Sequence, residues 1–248
     1  MSFSRFALFF KQDFVGGYRY LDQCGEFLVR AQDDMDMQPS GDQTPSGGNL
    51  EKPEVGLKLE VNTTMLRLSQ ELPDESEGET YIRHAEYFAN LYQELFRPRA
   101  VERNGVALQC YLPFSDVAQA ERASLSGAGA ETEALGRHIG MLPESYTREY
   151  RYVSGSRRLR VKAHPATFER VQGVLKTPPS RSTASRRALI ERQNTGARRL
   201  LEKTLQHALF VEFDLTEDMP PLDGVRSLLV EVLEKQAQLL PVLFPQFK

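Results

Sequence analysis

The sequence predicts an α+β fold in which an antiparallel sheet carries helices on one face. Runs in which apolar and polar residues alternate are interspersed with longer segments whose apolar residues recur every three or four positions. These are the periods of strands and helices. Over residues 1–114 the segments follow the order strand, helix, strand, strand, helix, strand. Elements in this order pack as a sheet with helices against it.

The composition is that of a folded protein. Apolar residues make up 40% of the 248 residues and charged residues 26%, so the chain can bury a core without disulfides. Cys24 and Cys110 lack C-x-x-C spacing, and we expect both to be buried thiols in a reducing cytoplasm. The apolar run over 6–10 is too short for a signal peptide, and no run reaches the roughly 18 residues of a membrane span. We therefore expect neither export nor membrane insertion.

The amino-terminal segment predicts a strand, a helix and a loop. The dense apolar pattern of residues 5–12 favours a strand, and a pair of glycines follows it. Helical spacing then appears in residues 18–31, whose apolar positions include Tyr20, Cys24, Phe27 and Leu28. Residues 33–53 are rich in Asp, Ser, Gly and Pro without an apolar period, which predicts a long mobile surface loop.

A hairpin, a helix and a strand complete the first half. Residues 55–61 and 65–72 largely alternate between apolar and polar, as expected for the two strands of an antiparallel hairpin. A helix is predicted over 80–97, with a buried stripe of Tyr81, Ala85, Phe88, Leu91, Tyr92 and Leu95. A strand over 105–114 follows. The resulting βαββαβ order is that of a ferredoxin-like split βαβ unit.

The second half is expected to be a pseudo-duplicate of the first, either as a separate unit or within one compact domain. Residues 115–147 connect the halves and include an Ala-rich helix over 116–125 and a weaker one over 131–139. Residues 148–248 are predicted to contain a hairpin turning at Gly155 and Ser156, helices over 164–175 and 182–206, a strand over 207–215 and a helix over 223–240. The buried face of the last helix comprises Val225, Leu228, Leu229, Val232 and Leu233.

Charge is segregated along the chain. Fourteen Lys and Arg and three Glu give residues 151–203 a net charge of +11, and since the whole chain carries −3, the remaining residues carry −14. Such a tract favours an anionic partner, either nucleic acid or an acidic protein surface. The alternative is that the tract docks against the acidic remainder of the same protein or of another subunit.

The register of the predicted hairpin assigns its side chains to two faces. With a two-residue loop, Tyr152 lies opposite Leu159 and Tyr150 opposite Val161, which makes this side the core face. Both tyrosines are therefore expected in the core rather than at a binding site.

The other side of the hairpin is the first candidate anion-binding site. It places Arg151 opposite Arg160, with Arg158 and Lys162 next to them. Two opposed arginines repel each other, so an anion lying across them would stabilise the arrangement. The alternative is a solvated face with splayed side chains.

The predicted helix over 182–206 supplies the second candidate anion-binding site. Its basic residues lie away from or beside the apolar stripe and comprise Arg187, Arg192, Arg198, Arg199 and Lys203. If this helix lay along a DNA duplex, each neutralised phosphate would add about −0.9 to the salt slope of binding.

An acidic pair indicates a second class of function. Glu212 and Asp214 share one face of a strand and could hold Mg²⁺ for phosphodiester hydrolysis, with Glu60 as a conceivable third ligand. The four histidines lack the spacing of a zinc site.

On the basis of the basic tract, the sequence predicts a non-catalytic cytoplasmic binding protein or complex subunit without a cofactor. The alternatives are a metal-dependent phosphodiesterase or nuclease, and an oligomerising structural subunit.

Overall fold

A computed structural model describes residues 4–15, 21–41, 43–44, 46–71, 78–125, 147–167 and 207–245. The strands are β1 (Ser4–Val15), β2 (Gln38–Pro39), β3 (Gly47–Lys52), β4 (Leu57–Asn62), β5 (Met65–Glu71), β6 (Ala100–Phe114), β7 (Arg148–Ser154), β8 (Arg157–Thr167) and β9 (His207–Asp218). The helices are α1 (Leu21–Met35), α2 (Gly78–Phe96), α3 (Val117–Leu125) and α4 (Val225–Leu243).

All nine strands belong to one sheet. Their order is β2-β3-β4-β5-β1-β6-β9-β8-β7, and every neighbouring pair is antiparallel. The two halves of the chain meet where β6 pairs with β9 over twelve residue pairs. The predicted α+β fold with a large antiparallel sheet is confirmed, and the halves share a single sheet.

One face of this sheet is buried across both halves. In the row through its centre, Leu8 of β1 lies opposite Leu108 of β6, which lies opposite Phe213 of β9, which lies opposite Val161 of β8. Each of these side chains is almost completely buried. The row is part of one hydrophobic cluster that also contains residues of all four helices. Because side chains alternate along a strand, burial on this side leaves the opposite side for polar residues.

The helices bury the stripes that their periodicity predicts. In α2, Tyr81 and Tyr92 are buried and also hydrogen-bond to the sheet: the Tyr81 hydroxyl donates to the Leu68 carbonyl at 2.9 Å, and the Tyr92 hydroxyl donates to the Asn62 carbonyl at 3.1 Å. In α4 the predicted residues Val225, Leu228, Leu229 and Val232 are buried, and Leu233 is partly buried.

The structure differs from the predicted mobile loop over 33–53, because part of this segment belongs to the sheet. β3 pairs with β4 along its whole length, and Leu50 is buried opposite Leu59. Gly47 lies so close to β4 that a Cβ atom added there would be 2.4 Å from the Val61 carbonyl oxygen. The glycines that suggested a loop thus allow close strand packing instead.

The helix predicted to begin near Pro165 is wrong at its start, because β8 continues to Thr167. Pro165 lies opposite Leu209 of β9, whereas β7 reaches no further than the position opposite Ala163. Among the described residues, the strand therefore has a neighbour on one side only at Pro165, and a residue without an N–H group is tolerated there.

Several predictions fall on residues that the structure does not describe. They are the remainder of the helix over 164–175, the helix over 182–206 and the helix over 131–139. Among the described residues, no helix has the length and apolarity needed to cross a membrane.

Candidate binding surface on the outer face of the sheet

The side of the sheet opposite the core, called the outer face here, carries the predicted hairpin site. Near β7 its side chains are all at least partly exposed and are mostly charged or polar. They are Glu149, Arg151, Val153, Arg158, Arg160, Lys162, Glu212, Asp214, Thr216 and Asp218, and β6 adds Arg103, Gly105, Ala107 and Gln109.

The hairpin has the register that the sequence predicts. Arg151 lies opposite Arg160, and Glu149 lies opposite Lys162. The turn needs Gly155, whose φ of +59° is the left-handed value that a type II′ loop places at its first central residue. A two-residue loop thus directs the four predicted basic residues of the hairpin to the outer face.

The two tyrosines of β7 lie on the core side, as their pairing with Leu159 and Val161 requires. Tyr150 is partly buried and packs against the core. Tyr152, however, is 43% exposed. It lies on the predicted side of the sheet, but the prediction that it is buried in the core is wrong. The reason is that β7 is the last of the described strands in the sheet, so no further described strand covers Tyr152 on that side.

Arg160 is held between two carboxylates of the neighbouring strand. Its guanidinium donates to Asp214 at 2.9 Å and to Glu212 at 3.3 Å. The other oxygen of Glu212 accepts a hydrogen bond from the Gln109 side chain at 3.0 Å. The carboxylates that the sequence suggested as metal ligands therefore bind a basic residue of the predicted anion site.

The other arginines of the hairpin also have carboxylate partners. Arg151 forms an ion pair with Glu149 at 2.6 Å, and Arg158 forms one with Asp218 at 2.7 Å. Asp218 is shared with Arg103 of β6, at 2.9 Å. These arginines of the hairpin thus pair with carboxylates of the same chain, although Arg151 remains 79% exposed.

The local environment shifts the pKa values of these carboxyl groups in different directions. Hydrogen bonding by Arg103, with a further contribution from Arg158, lowers the pKa of Asp218 below its ordinary value. Hydrogen bonding by Arg151 likewise lowers the pKa of Glu149. The pKa of Asp214 is raised instead, because burial outweighs its attraction to Arg160.

A hollow of about 460 Å³ lies beside these ion pairs, in the middle of the outer face. Gly105 and Ala107 of β6 line this hollow, and their small size leaves space above the backbone of β6, between the side chains of the neighbouring strands. Charged residues of both signs line it, namely Lys11, Asp13, Arg67, Arg103, Glu212 and Asp214. Such a surface can form ion pairs and hydrogen bonds with a partner that also carries both charge signs.

The first-half residues of this surface were missed by sequence reasoning. Arg103 and Gln109 belong to β6, which is remote in sequence from the hairpin and is brought beside β9 only by the strand order. The polar positions of the 105–114 strand are a signal that one face is exposed, but they do not indicate which strand lies next to it. The second candidate site, with Arg187, Arg192, Arg198, Arg199 and Lys203, lies outside the described residues.

The proposed third metal ligand is too far from the acidic pair. Glu60 is on β4, and three strands separate β4 from β9. At about 4.8 Å between neighbouring strands, the two positions are about 19 Å apart. Glu60 instead lies near Arg67 at 3.8 Å. In the part of the chain that the structure describes, no group of three or more His, Cys, Asp or Glu side chains could hold a metal ion.

No protein-family model matches the chain, and no curated protein matches it in sequence.

Proposed function

We propose that the protein is a non-catalytic binding protein, or a subunit of a complex, whose outer face near β7 contacts an acidic surface of another protein. The observation that supports this proposal is the convergence of Arg151, Arg158, Arg160 and Lys162 on one accessible side of the sheet. Arg151 and Arg158 are the most exposed of the three arginines and lie nearest the turn of the hairpin or on its outer strand, Arg151 on β7 and Arg158 beside the turn.

The interleaved carboxylates favour a protein partner over nucleic acid. Glu149, Glu212, Asp214 and Asp218 alternate with the basic residues on the same surface. They would repel the closely spaced phosphates of a nucleic acid backbone, whose neutralisation by Lys and Arg dominates such binding. A protein surface can present both charge signs and match such a pattern.

Binding of a labelled peptide that carries glutamates in excess over interspersed lysines tests the proposal at low and moderate salt, because such a peptide presents both charge signs. Replacing both Arg151 and Arg158 by Ala is expected to weaken binding about 3- to 10-fold at low salt, since two exposed ion pairs are removed. The matched control replaces Arg30 and Arg83 by Ala. These arginines lie on helices, also form exposed ion pairs and carry the same total charge.

Two results would contradict the proposal. One is the absence of peptide binding at low salt, and the other is equal weakening by the hairpin pair and the control pair. Labelled single-stranded DNA and RNA are measured beside the peptide. Tighter binding of either, with a salt slope of about −0.7 for each phosphate contacted, would make nucleic acid the partner instead.

We also propose that residues 4–114 form a ferredoxin-like unit and that residues 148–248 form a second, related one. The strand order β4-β5-β1-β6, with α1 and α2 in the connections, supports the first unit. Strands β7, β8 and β9 in the same sheet, followed by α4, support the second. An experimental structure of the full chain that covers residues 168–206 tests the duplication.

The buried thiols of Cys24 and Cys110 support the expected cytoplasmic location.

A further inference from the structure

Among the strands that the structure describes, β7 is an edge strand with one side open. It occupies the end of the sheet, and among the described residues only β8 pairs with it. Tyr152 is 43% exposed and Val153 is 72% exposed. An edge of seven residues presents a row of backbone N–H and C=O groups that can pair with another strand.

The turn determines which backbone groups of β7 point outward. In a two-residue hairpin loop the flanking residues, here Ser154 and Arg157, form a hydrogen-bonded pair, and such pairs recur at every second residue. Residues 150, 152 and 154 therefore direct their N–H and C=O groups toward β8. Glu149, Arg151 and Val153 direct theirs toward the open side.

We propose that β7 pairs with β7 of a second copy of this chain, antiparallel and across a two-fold axis, so that two sheets become one. The pairing joins Glu149 to Arg151 of the second copy and Arg151 to Glu149 of the second copy. Tyr150 lies on the axis, opposite Tyr150 of the second copy. Each copy presents the same strand, which is the condition for a closed dimer.

Charge selects this register over its neighbours. The hydrogen-bonding pattern allows only registers in which residue 149, 151 or 153 of one copy pairs with residue 149, 151 or 153 of the other. The next allowed register in one direction would put Arg151 opposite Arg151 of the second copy. The next allowed register in the other direction would put Glu149 opposite Glu149 of the second copy. Like charges directly opposite are destabilising, whereas the proposed register forms two ion pairs between strands.

The proposed pairing also adds a carboxylate to the opposed arginines, of which Arg151 already pairs with Glu149 of its own chain. Arg160 already has Asp214 and Glu212 on its far side. Arg151 would gain Glu149 of the second copy on its own far side, so that carboxylates flank the arginine pair in both directions. A row of side chains on the outer face would then run from Asp214 through Arg160 and Arg151 to Glu149 of the second copy, with two positive and two negative charges.

The core side of β7 offers apolar surface to the same partner. Tyr150 would meet its counterpart as a non-hydrogen-bonded pair, the kind in which Cα atoms approach most closely, at about 4.5 Å. A cavity of about 260 Å³ also lies at this edge, lined in part by Tyr152, Leu159, Leu215 and Leu239. An added strand would cover part of the apolar surface that now reaches solvent at the edge of the sheet.

The mass of the full chain in solution, measured by sedimentation equilibrium over a range of concentrations, tests the proposal. We expect a species of twice the chain mass of 28.2 kDa. Arg151→Glu and Glu149→Arg should each raise the dissociation constant about 10-fold or more, because each substitution acts twice across the axis. The double variant E149R/R151E restores opposite charges in the same register and should dimerise again. Arg83→Glu, on an exposed face of α2, is the control and should leave the mass unchanged.

Three outcomes would overturn the proposal. They are a monomer at every concentration, a dimer that neither single substitution weakens, and a double variant that stays monomeric although its circular dichroism matches that of the parent. The double variant separates loss of pairing from loss of folding, since it contains both substitutions. Failure of peptide binding does not bear on this result, because the dimer test involves no other partner.

Discussion

Asp214 and Asp218 lie on the same side of β9, four residues apart, yet their pKa values shift in opposite directions. Two arginines hydrogen-bond to Asp218 and lower its pKa. Asp214 also binds an arginine, but its burial has the larger effect and raises its pKa. The balance between burial and charge thus differs within one strand.

These shifts predict opposite pH dependences of stability. The folded protein binds a proton at Asp218 more weakly than the unfolded chain does, so this group stabilises the fold above the ordinary pKa of 3.8, and the contribution is lost as pH falls through the lower folded value. Asp218→Asn should therefore lower the free energy of unfolding at pH 7 and make no difference once pH is below the folded pKa. Urea unfolding from pH 3 to pH 7 measures this.

Asp214→Asn is the matched variant on the same strand face, and its sign is opposite. The folded protein binds a proton at Asp214 more tightly, so the wild-type free energy of unfolding falls as pH rises from 3.8 through the raised folded pKa. Relative to wild type, the variant should gain stability over that range, while Arg160 keeps Glu212 as a partner. The same pH trend in both variants would contradict the assignment.

At the scale of single elements, replacing glycine by alanine is expected to change stability in opposite directions in a hairpin loop and in a helix. Gly155 has a φ of +59° in the loop of the β7–β8 hairpin, whereas Gly25 lies within α1 and has no positive φ. A Cβ atom added at either position meets no atom within 4 Å. Backbone conformation alone therefore decides the outcome of a substitution by alanine.

Gly155→Ala is expected to destabilise the protein by about 1 kcal/mol, because an L-residue is strained at that φ. Gly25→Ala should stabilise it by about 0.5 to 1 kcal/mol, because alanine loses less conformational entropy in a helix. Thermal or urea unfolding of the two variants measures both effects. Stabilisation by Gly155→Ala would show that the hairpin loop is not of type II′.

At the scale of elements, the sequence predicted well wherever one local signal acted alone. The hairpin at Gly155 was predicted to the residue, since loop length sets the register of both strands. Gly47 misled the prediction, because glycine signals both turns and close strand contacts. Pro165 misled it too, since a strand tolerates proline where one neighbour has ended.

Across the whole molecule, a partly buried ion-pair network joins three elements. Arg157 of β8 donates to Glu217 of β9 at 3.0 Å and also binds Glu231 of α4. The side chain of Glu217 is only 8% exposed. Arg160, on the outer face, also binds two carboxylates, but Glu212 and Asp214 are about 30% exposed.

Replacing each arginine by Met compares the two networks. Arg157→Met should destabilise the protein by about 3 kcal/mol, because it leaves the buried Glu217 without its partner. Arg160→Met should cost less than about 1 kcal/mol, because water can solvate the freed carboxylates. Urea unfolding at pH 7 gives both values. Equal losses would show that burial does not control the strength of these pairs.

The sequence by itself determined the α+β class, most of the strands and helices, the buried stripes and the register of the basic hairpin. These depend on periodicity and turn chemistry, which act over a few residues. Only the tertiary structure decided that β9 lies between β6 and β8, and thus that Glu212, Asp214 and Asp218 face the arginines of a tract whose charge had suggested an external partner. The physical reason is that strand order depends on contacts between residues far apart in the chain, and pairing in space can neutralise charges that are segregated along the sequence.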